Sequence, residues 1–170
     1  MRSAFLMRGP VRQMVHALKY SGWEAVADPL AQRMAALPLP PDVQEEATTV
    51  LPVPASRVRL RERGYNQAER IAAAFACRTG RLHDPGLLVR SRSGGTQTAL
   101  HPAERRANVA AAFAVSAASA ASLRDRHLLL VDDVWTTGAT AAECVSVLLA
   151  AGARAVSVVT FARALPELER

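Results

Sequence analysis

The sequence predicts an α/β protein built on a doubly wound, mainly parallel sheet. Three observations carry that expectation. Residues 128–131 and 155–161 are near-continuous apolar runs, as in parallel strands covered on both faces. Strand-like segments alternate with segments of helical spacing, the order that produces a parallel sheet. The first of these runs ends on Asp132 and Asp133, followed by a turn rich in hydroxyls and glycine and then a helix. Open α/β sheets bind ligands at that end of their strands.

Each element has its own signal. Val11, Met14, Val15 and Leu18 have helical spacing, and Gly22 is a stop. A second helix is expected over residues 24–37, closed by Pro38, Pro40 and Pro41. Residues 1–41 therefore read as a helical appendage to a single domain, 1–170, whose α/β core covers 48–163. Residues 48–53 have the β-branched content of a first core strand, which Pro52 and Pro54 prevent from running on. Arg57, Arg59, Arg61 and Arg63 alternate along the chain, so an extended loop would carry them on one side. Asn66 is a helix cap before residues 67–78, with Ile71, Ala74 and Phe75 facing the core. Residues 87–90 form a second strand. The polar stretch 91–98, with Gly94 and Gly95, reads as a mobile loop, residues 103–107 as a short helical turn, and 116–122 as a small-residue linker. The helix after the acid pair would bury Ala141, Val145, Leu148 and Leu149 and stop at Gly152.

Composition narrows the function. The 170 residues suffice for one domain with a substantial core. The longest apolar stretch, 145–159, is interrupted by Gly152 and Arg154 and falls short of the ~18 residues of a membrane span. Residues 1–7 lack the length and flanks of a secretory signal. A cytoplasmic protein without membrane insertion is the expectation. Cys77 and Cys144 are not spaced as a metal site, and their alanine-rich helical surroundings suggest buried, inert thiols. The net charge is +6, and Lys19 is the only lysine. Arginine forks match phosphate geometry, which suits a polyanionic small substrate or a nucleic acid. A GC-rich genome would favour arginine as well. Neither a GxGxxG nor a GxxxxGK[ST] loop is present, so dinucleotide and Walker-type nucleotide binding lack their usual element.

The chemistry concentrates after the acid pair. Thr136, Thr137, Gly138 and Thr140 offer hydroxyls and backbone N–H groups at a helix start, a ready anion site. From His127 to Thr140 the chain closely resembles the phosphoribosyl pyrophosphate (PRPP) signature of type I phosphoribosyltransferases. That resemblance implies that Asp132 and Asp133 hold the ribose hydroxyls and help to position Mg²⁺. It implies that Thr136, Thr137, Gly138, Ala139 and Thr140 wrap the 5′-phosphate, and that Ala55, Ser56 and Arg57, after the first strand, contact pyrophosphate. Arg63-Gly64-Tyr65-Asn66-Gln67 is similar to the ComF family of phosphoribosyltransferase-like competence proteins. So are Gln97, Arg105, Asn108 and Phe113, and the element Leu18-Lys19-Tyr20-Ser21-Gly22. Together these matches span residues 11–161.

The resemblance implies Mg²⁺-dependent transfer of a phosphoribosyl group to an acceptor, with release of pyrophosphate and a link to DNA uptake. Arg59, Arg61, Arg63, Arg90 and Arg105 are candidate phosphate or DNA contacts. Two departures from the pattern matter. ComF proteins usually begin with a cysteine-rich zinc-binding segment, which is missing here. Purine-salvage type I enzymes carry a carboxylate where this chain has Thr136, so the pattern is closer to that of orotate enzymes. No residue stands out as general base; His101 precedes Pro102 in a polar loop. Trp135 suits either stacking on a ligand or packing beside the loop. Two alternatives remain open: a non-catalytic single-stranded-DNA-binding factor acting with competence proteins, and a PRPP-sensing regulator. Aromatic residues for base stacking make up only 5% of the chain.

Overall fold

The computed structural model of the chain describes residues 1–20, 26–90 and 112–164. Its elements, in order, are β1 (Arg2–Leu6), α1 (Gly9–Tyr20), α2 (Ala27–Ala35), α3 (Pro41–Glu46), β2 (Ala47–Pro52), α4 (Arg57–Arg63) and α5 (Gln67–Thr79). There follow β3 (Leu82–His83), β4 (Leu88–Arg90), β5 (Phe113–Val115), β6 (His127–Trp135), α6 (Ala139–Ala150) and β7 (Ala155–Arg163). Five strands form a parallel sheet in the order β1-β7-β6-β2-β3. β4 and β5 pair antiparallel in a separate two-stranded sheet.

The central strand β6 shows why the sheet is doubly wound. Leu129 and Val131 point into one apolar cluster with Leu30, Met34, Ile71 and Phe75, which belong to α2 and α5. Leu128 and Leu130 point into another with Ala141, Cys144 and Leu148 of α6. Alternation along a strand sends neighbouring leucines to opposite faces, so an unbroken apolar run needs helices on both.

β2 leads through α5 to β3 on one side of the sheet, and β6 leads through α6 to β7 on the other. The winding therefore reverses between β2 and β6, which pair directly with Pro52 opposite Val131. Just beyond, the Val53 N–H donates to the Val131 carbonyl at 2.9 Å. A crevice at such a reversal, outside the carboxyl ends of the strands, is the ligand position of open α/β sheets.

Several expectations are corrected. The first residues are not purely a helical appendage. Arg2–Leu6 is an edge strand whose pairing with β7 supplies the order that its short sequence lacks. Arg57–Arg63 is a helix, not an extended loop. Ser56 caps it, accepting from the Arg59 N–H at 3.2 Å, and Gly64 ends it with φ +80°. At 100° per residue, alternate arginines fall on two faces: Arg59 with Arg63, and Arg57 with Arg61. The strand at Leu88–Arg90 lies outside the parallel sheet. Cys77 is exposed, because α5 buries Ile71, Ala72, Phe75 and Ala76 and residue 77 lies on the opposite face. Leu149 is also exposed, about 100° round α6 from buried Leu148. The proposed loop over 91–98, the turn over 103–107, and Gln97, His101, Arg105 and Asn108 lie outside the described residues.

Candidate functional site

A cleft of about 200 Å³ opens at the winding reversal between β2 and β6. Five pieces of chain line it. The turn after β2 contributes Val53, Pro54 and Ala55, and α4 contributes Arg59 and Arg63. The start of α5 contributes Asn66, Gln67 and Ala68, and the end of β4 contributes Arg90. The end of β6 and the turn into α6 contribute Asp132, Asp133, Val134, Thr136 and Thr140. Acids, guanidinium groups and hydroxyls that are far apart in sequence thus converge on one volume.

The acid pair is held firmly. Asp133 is buried, at 9% exposure, and Asp132 is half-buried. The Asp132 carboxylate accepts from the Asp133 backbone N–H at 2.8 Å. Behind the acids, burial first, and then the charges of Asp132 and Glu143, push the Cys144 thiol up to about 12. That thiol stays protonated at neutral pH and is excluded as a nucleophile. Among the described residues, no three His, Cys, Asp or Glu side chains cluster to hold a metal. Two hard carboxylates beside an open cleft suit Mg²⁺, which keeps waters and shares ligand phosphate oxygens.

The loop between the acids and α6 depends on Gly138. Its φ is +83°, and a Cβ there would sit 2.2 Å from Cζ2 of Trp135. The indole thus lies flush against the glycine, and Trp135 packs against the apolar cluster around α6. This is the packing role of the two open for that tryptophan. Gly138 at the N-cap has no side chain, and Thr137 Oγ1 accepts only from the Ala139 N–H, at 3.4 Å, so the next N–H groups of the first turn can meet an incoming acceptor.

The arginine wall is braced by its neighbours. Arg90 lies over the Phe113 ring, 4.8 Å from its centroid, and its Nε donates to the Pro54 carbonyl at 3.4 Å. The Asn66 side chain is used up locally: Nδ2 donates to the Val53 carbonyl and Oδ1 accepts from the Ala68 N–H. It locks the turn after β2 to the start of α5. Gln67 is 4% exposed, and its Nε2 has no hydrogen-bond partner among the described residues. Leaving a buried amide donor unmatched costs about 1–3 kcal/mol.

Of the residues singled out in the sequence, Asp132, Asp133, Thr136, Thr140, Ala55, Arg59, Arg63 and Arg90 come together here. Thr137, Gly138 and Ala139 form the turn between the two lining threonines. Ser56, Arg57 and Arg61 do not line the cleft; Ser56 is the cap of α4, and both arginines are exposed. Sequence reasoning passed over Gln67 as a site residue, although it ends the Arg63–Gln67 motif. A larger groove of about 590 Å³ lies at the opposite end of β2, around Ala47, Thr48 and Leu82. Its arginines are engaged already: Arg78 pairs with Asp28, and Arg81 donates to backbone carbonyls of Val43, Gln44 and Ala47. Volume alone is a poor guide here, and the convergence of acids with cations selects the smaller cleft.

Comparison with known proteins agrees with this architecture. The chain resembles the glutamine PRPP amidotransferase from B. subtilis complexed with ADP and GMP (TM-score 0.54, 22% identity, 83% of this chain and 26% of that one). It also resembles an allosteric regulatory enzyme of purine biosynthesis (TM-score 0.52, 25% identity, 83% of this chain and 25% of that one). It thus spans about a quarter of either structure. The fold is that of the type I phosphoribosyltransferases. No protein-family model matches the chain. Among curated proteins it is 30% identical over 166 residues to "DNA utilization protein YhgH" of Escherichia coli K12, covering 92% of this chain and 68% of that protein. It is 33% identical over 115 residues to "Competence protein F" of Haemophilus influenzae, covering 68% of this chain and 50% of that protein. The chain belongs to the ComF family of phosphoribosyltransferase-like competence proteins.

Proposed function

We propose that the cleft binds PRPP and that the protein transfers its phosphoribosyl group to an acceptor with release of pyrophosphate. The observation that carries this reading is the convergence of the acid pair, the hydroxyl turn and the arginine face of α4 at one winding reversal. Asp132 and Asp133 accept hydrogen bonds from the ribose hydroxyls. The turn from Thr136 to Thr140, with the first turn of α6, donates to the 5′-phosphate. Arg59 and Arg63 face the pyrophosphate and disperse the charge it gains on leaving. The C1–oxygen bond breaks with its electron pair going to pyrophosphate, and a lone pair of the acceptor forms the new bond at C1. Bound Mg²⁺ would be held by Asp132 and Asp133 and would supply charge neutralisation of the pyrophosphate. Positioning and fixed charge, more than covalent chemistry by the protein, would account for the rate.

Calorimetry with PRPP, with and without Mg²⁺, tests this on the wild type and on Asp132→Asn/Asp133→Asn. The expected result is Mg²⁺-dependent binding that the double variant loses while its circular dichroism is unchanged. Equal affinity in both proteins would remove the acids from the site.

A second reading rests on the other face of α4. Arg57 and Arg61 point away from the cleft, are exposed, and sit beside Val58 at 61% exposure. That face suits a single-stranded nucleic-acid backbone. Arg57→Ala/Arg61→Ala should then weaken salt-dependent DNA binding and leave PRPP binding alone. DNA binding unaffected by this change would dismiss that face.

A further inference from the structure

We infer that Gln67 is the neutral donor by which the cleft recognises a diphosphate group, and so distinguishes a pyrophosphorylated sugar from its monophosphate. The inference deepens the PRPP reading and rests on it for the identity of the ligand. Gln67 is the first residue of α5, directly after a turn locked by Asn66. Both polar atoms of its neighbour's amide bond the backbone. Gln67 instead leaves Nε2 without a hydrogen-bond partner among the described residues, although the side chain is buried and lines the cleft. An amide donor in that position serves the free protein poorly, so its use lies with a bound acceptor.

The surroundings name the acceptor. Arg59 and Arg63, on the helix just before Gln67 in the chain, line the same cleft, as does Ala55 of the turn after β2. The hydroxyl turn that suits a 5′-phosphate, with Thr136 and Thr140, reaches the cleft from a different segment, between β6 and α6. An oxygen acceptor that shares a cleft with two guanidinium groups is best met by an anion, and one cleft that draws on both an arginine helix and a hydroxyl turn fits a ligand carrying a phosphate and a diphosphate. A neutral N–H adds direction to this cleft without adding charge that would hold the leaving group too tightly.

The test measures binding of inorganic pyrophosphate, PRPP and ribose 5-phosphate, each with Mg²⁺, to the wild type, Gln67→Met and Gln67→Glu. Methionine keeps the length and removes the donor; glutamate keeps the shape and reverses the interaction. Gln67→Met should weaken pyrophosphate and PRPP roughly ten- to a hundredfold and leave ribose 5-phosphate within about twofold. Gln67→Glu should lose more. Melting of the ligand-free Gln67→Met protein should be no lower than that of the wild type, because no native hydrogen bond is removed. Equal losses on all three ligands, unchanged diphosphate binding, or a lower ligand-free melting temperature would each overturn the assignment. Pyrophosphate binding that needs Gln67 in a protein that ignores PRPP would keep this inference and defeat the PRPP reading. PRPP binding indifferent to Gln67 would do the reverse. A wild type that binds none of the three would defeat both.

Discussion

Replacing Gly138 by alanine probes the joint between the acid-bearing strand and the phosphate turn. Two separate costs follow from the structure. The backbone at φ +83° is strained for any residue with a Cβ, by about 1–2 kcal/mol. The new methyl would also lie 2.2 Å from Cζ2 of Trp135 and 2.8 Å from Cε2 and Cη2, so the indole must leave its place. Forced repacking of that kind costs about 1–3 kcal/mol. The sum is about 2–5 kcal/mol, or a fall of roughly 4–20 °C in melting temperature for a chain of this length. The two costs separate in a double-mutant cycle with Trp135→Ala. Without the ring only the backbone strain is left, so Gly138→Ala should cost about 1–2 kcal/mol, a coupling of about 1–3 kcal/mol. Urea denaturation of the four proteins by circular dichroism gives each value. An identical cost in both backgrounds would refute the claim that Trp135 holds the turn. Stability unchanged in Gly138→Ala would refute the backbone argument as well.

Arg59→Ala/Arg63→Ala should weaken PRPP binding by an order of magnitude or more, whereas Arg57→Ala/Arg61→Ala should not; equal effects in calorimetry would mean that the helical phase of α4 is wrong. At pH 8 a thiol reagent should modify Cys77 in the native protein and reach Cys144 only after denaturation, and peptide mapping that finds Cys144 labelled natively would contradict its burial. Glu46 sits below its usual 4.5, first through its hydrogen bond with Arg154 and then through that guanidinium's charge. Its contribution is therefore present above about pH 4.5 and is lost as pH falls through the lowered value. The wild type should exceed Glu46→Gln in stability at pH 7 and match it once the pH lies well below that lowered value. A difference that persists into acid would point to packing instead of charge.

Much of the site was legible in the sequence because it is local. The run from His127 to Thr140 is one strand, one turn and one helix start, and its chemistry follows from adjacent residues. The Asn66 cap and the end of α5 could also be read directly, since capping depends on a few neighbouring residues. The arginine row was misread because alternate spacing fits a strand and a helix equally well until the ends are examined. Ser56 and Gly64 are those ends, and they make α4 a helix that sends Arg59 and Arg63 inward and Arg57 and Arg61 outward.

The sequence by itself determined the class of fold, since a twice-covered strand must be apolar throughout and a phosphate turn needs its glycine and hydroxyls in order. Only the tertiary structure decided which arginines share a cleft with the acids, that residues 2–6 join the sheet, and that Gln67 is buried in that cleft with Nε2 unpartnered among the described residues. Those outcomes depend on where distant segments meet, and bringing residues more than sixty positions apart, such as Gln67 and Asp132, to one cleft leaves no periodic trace in the chain.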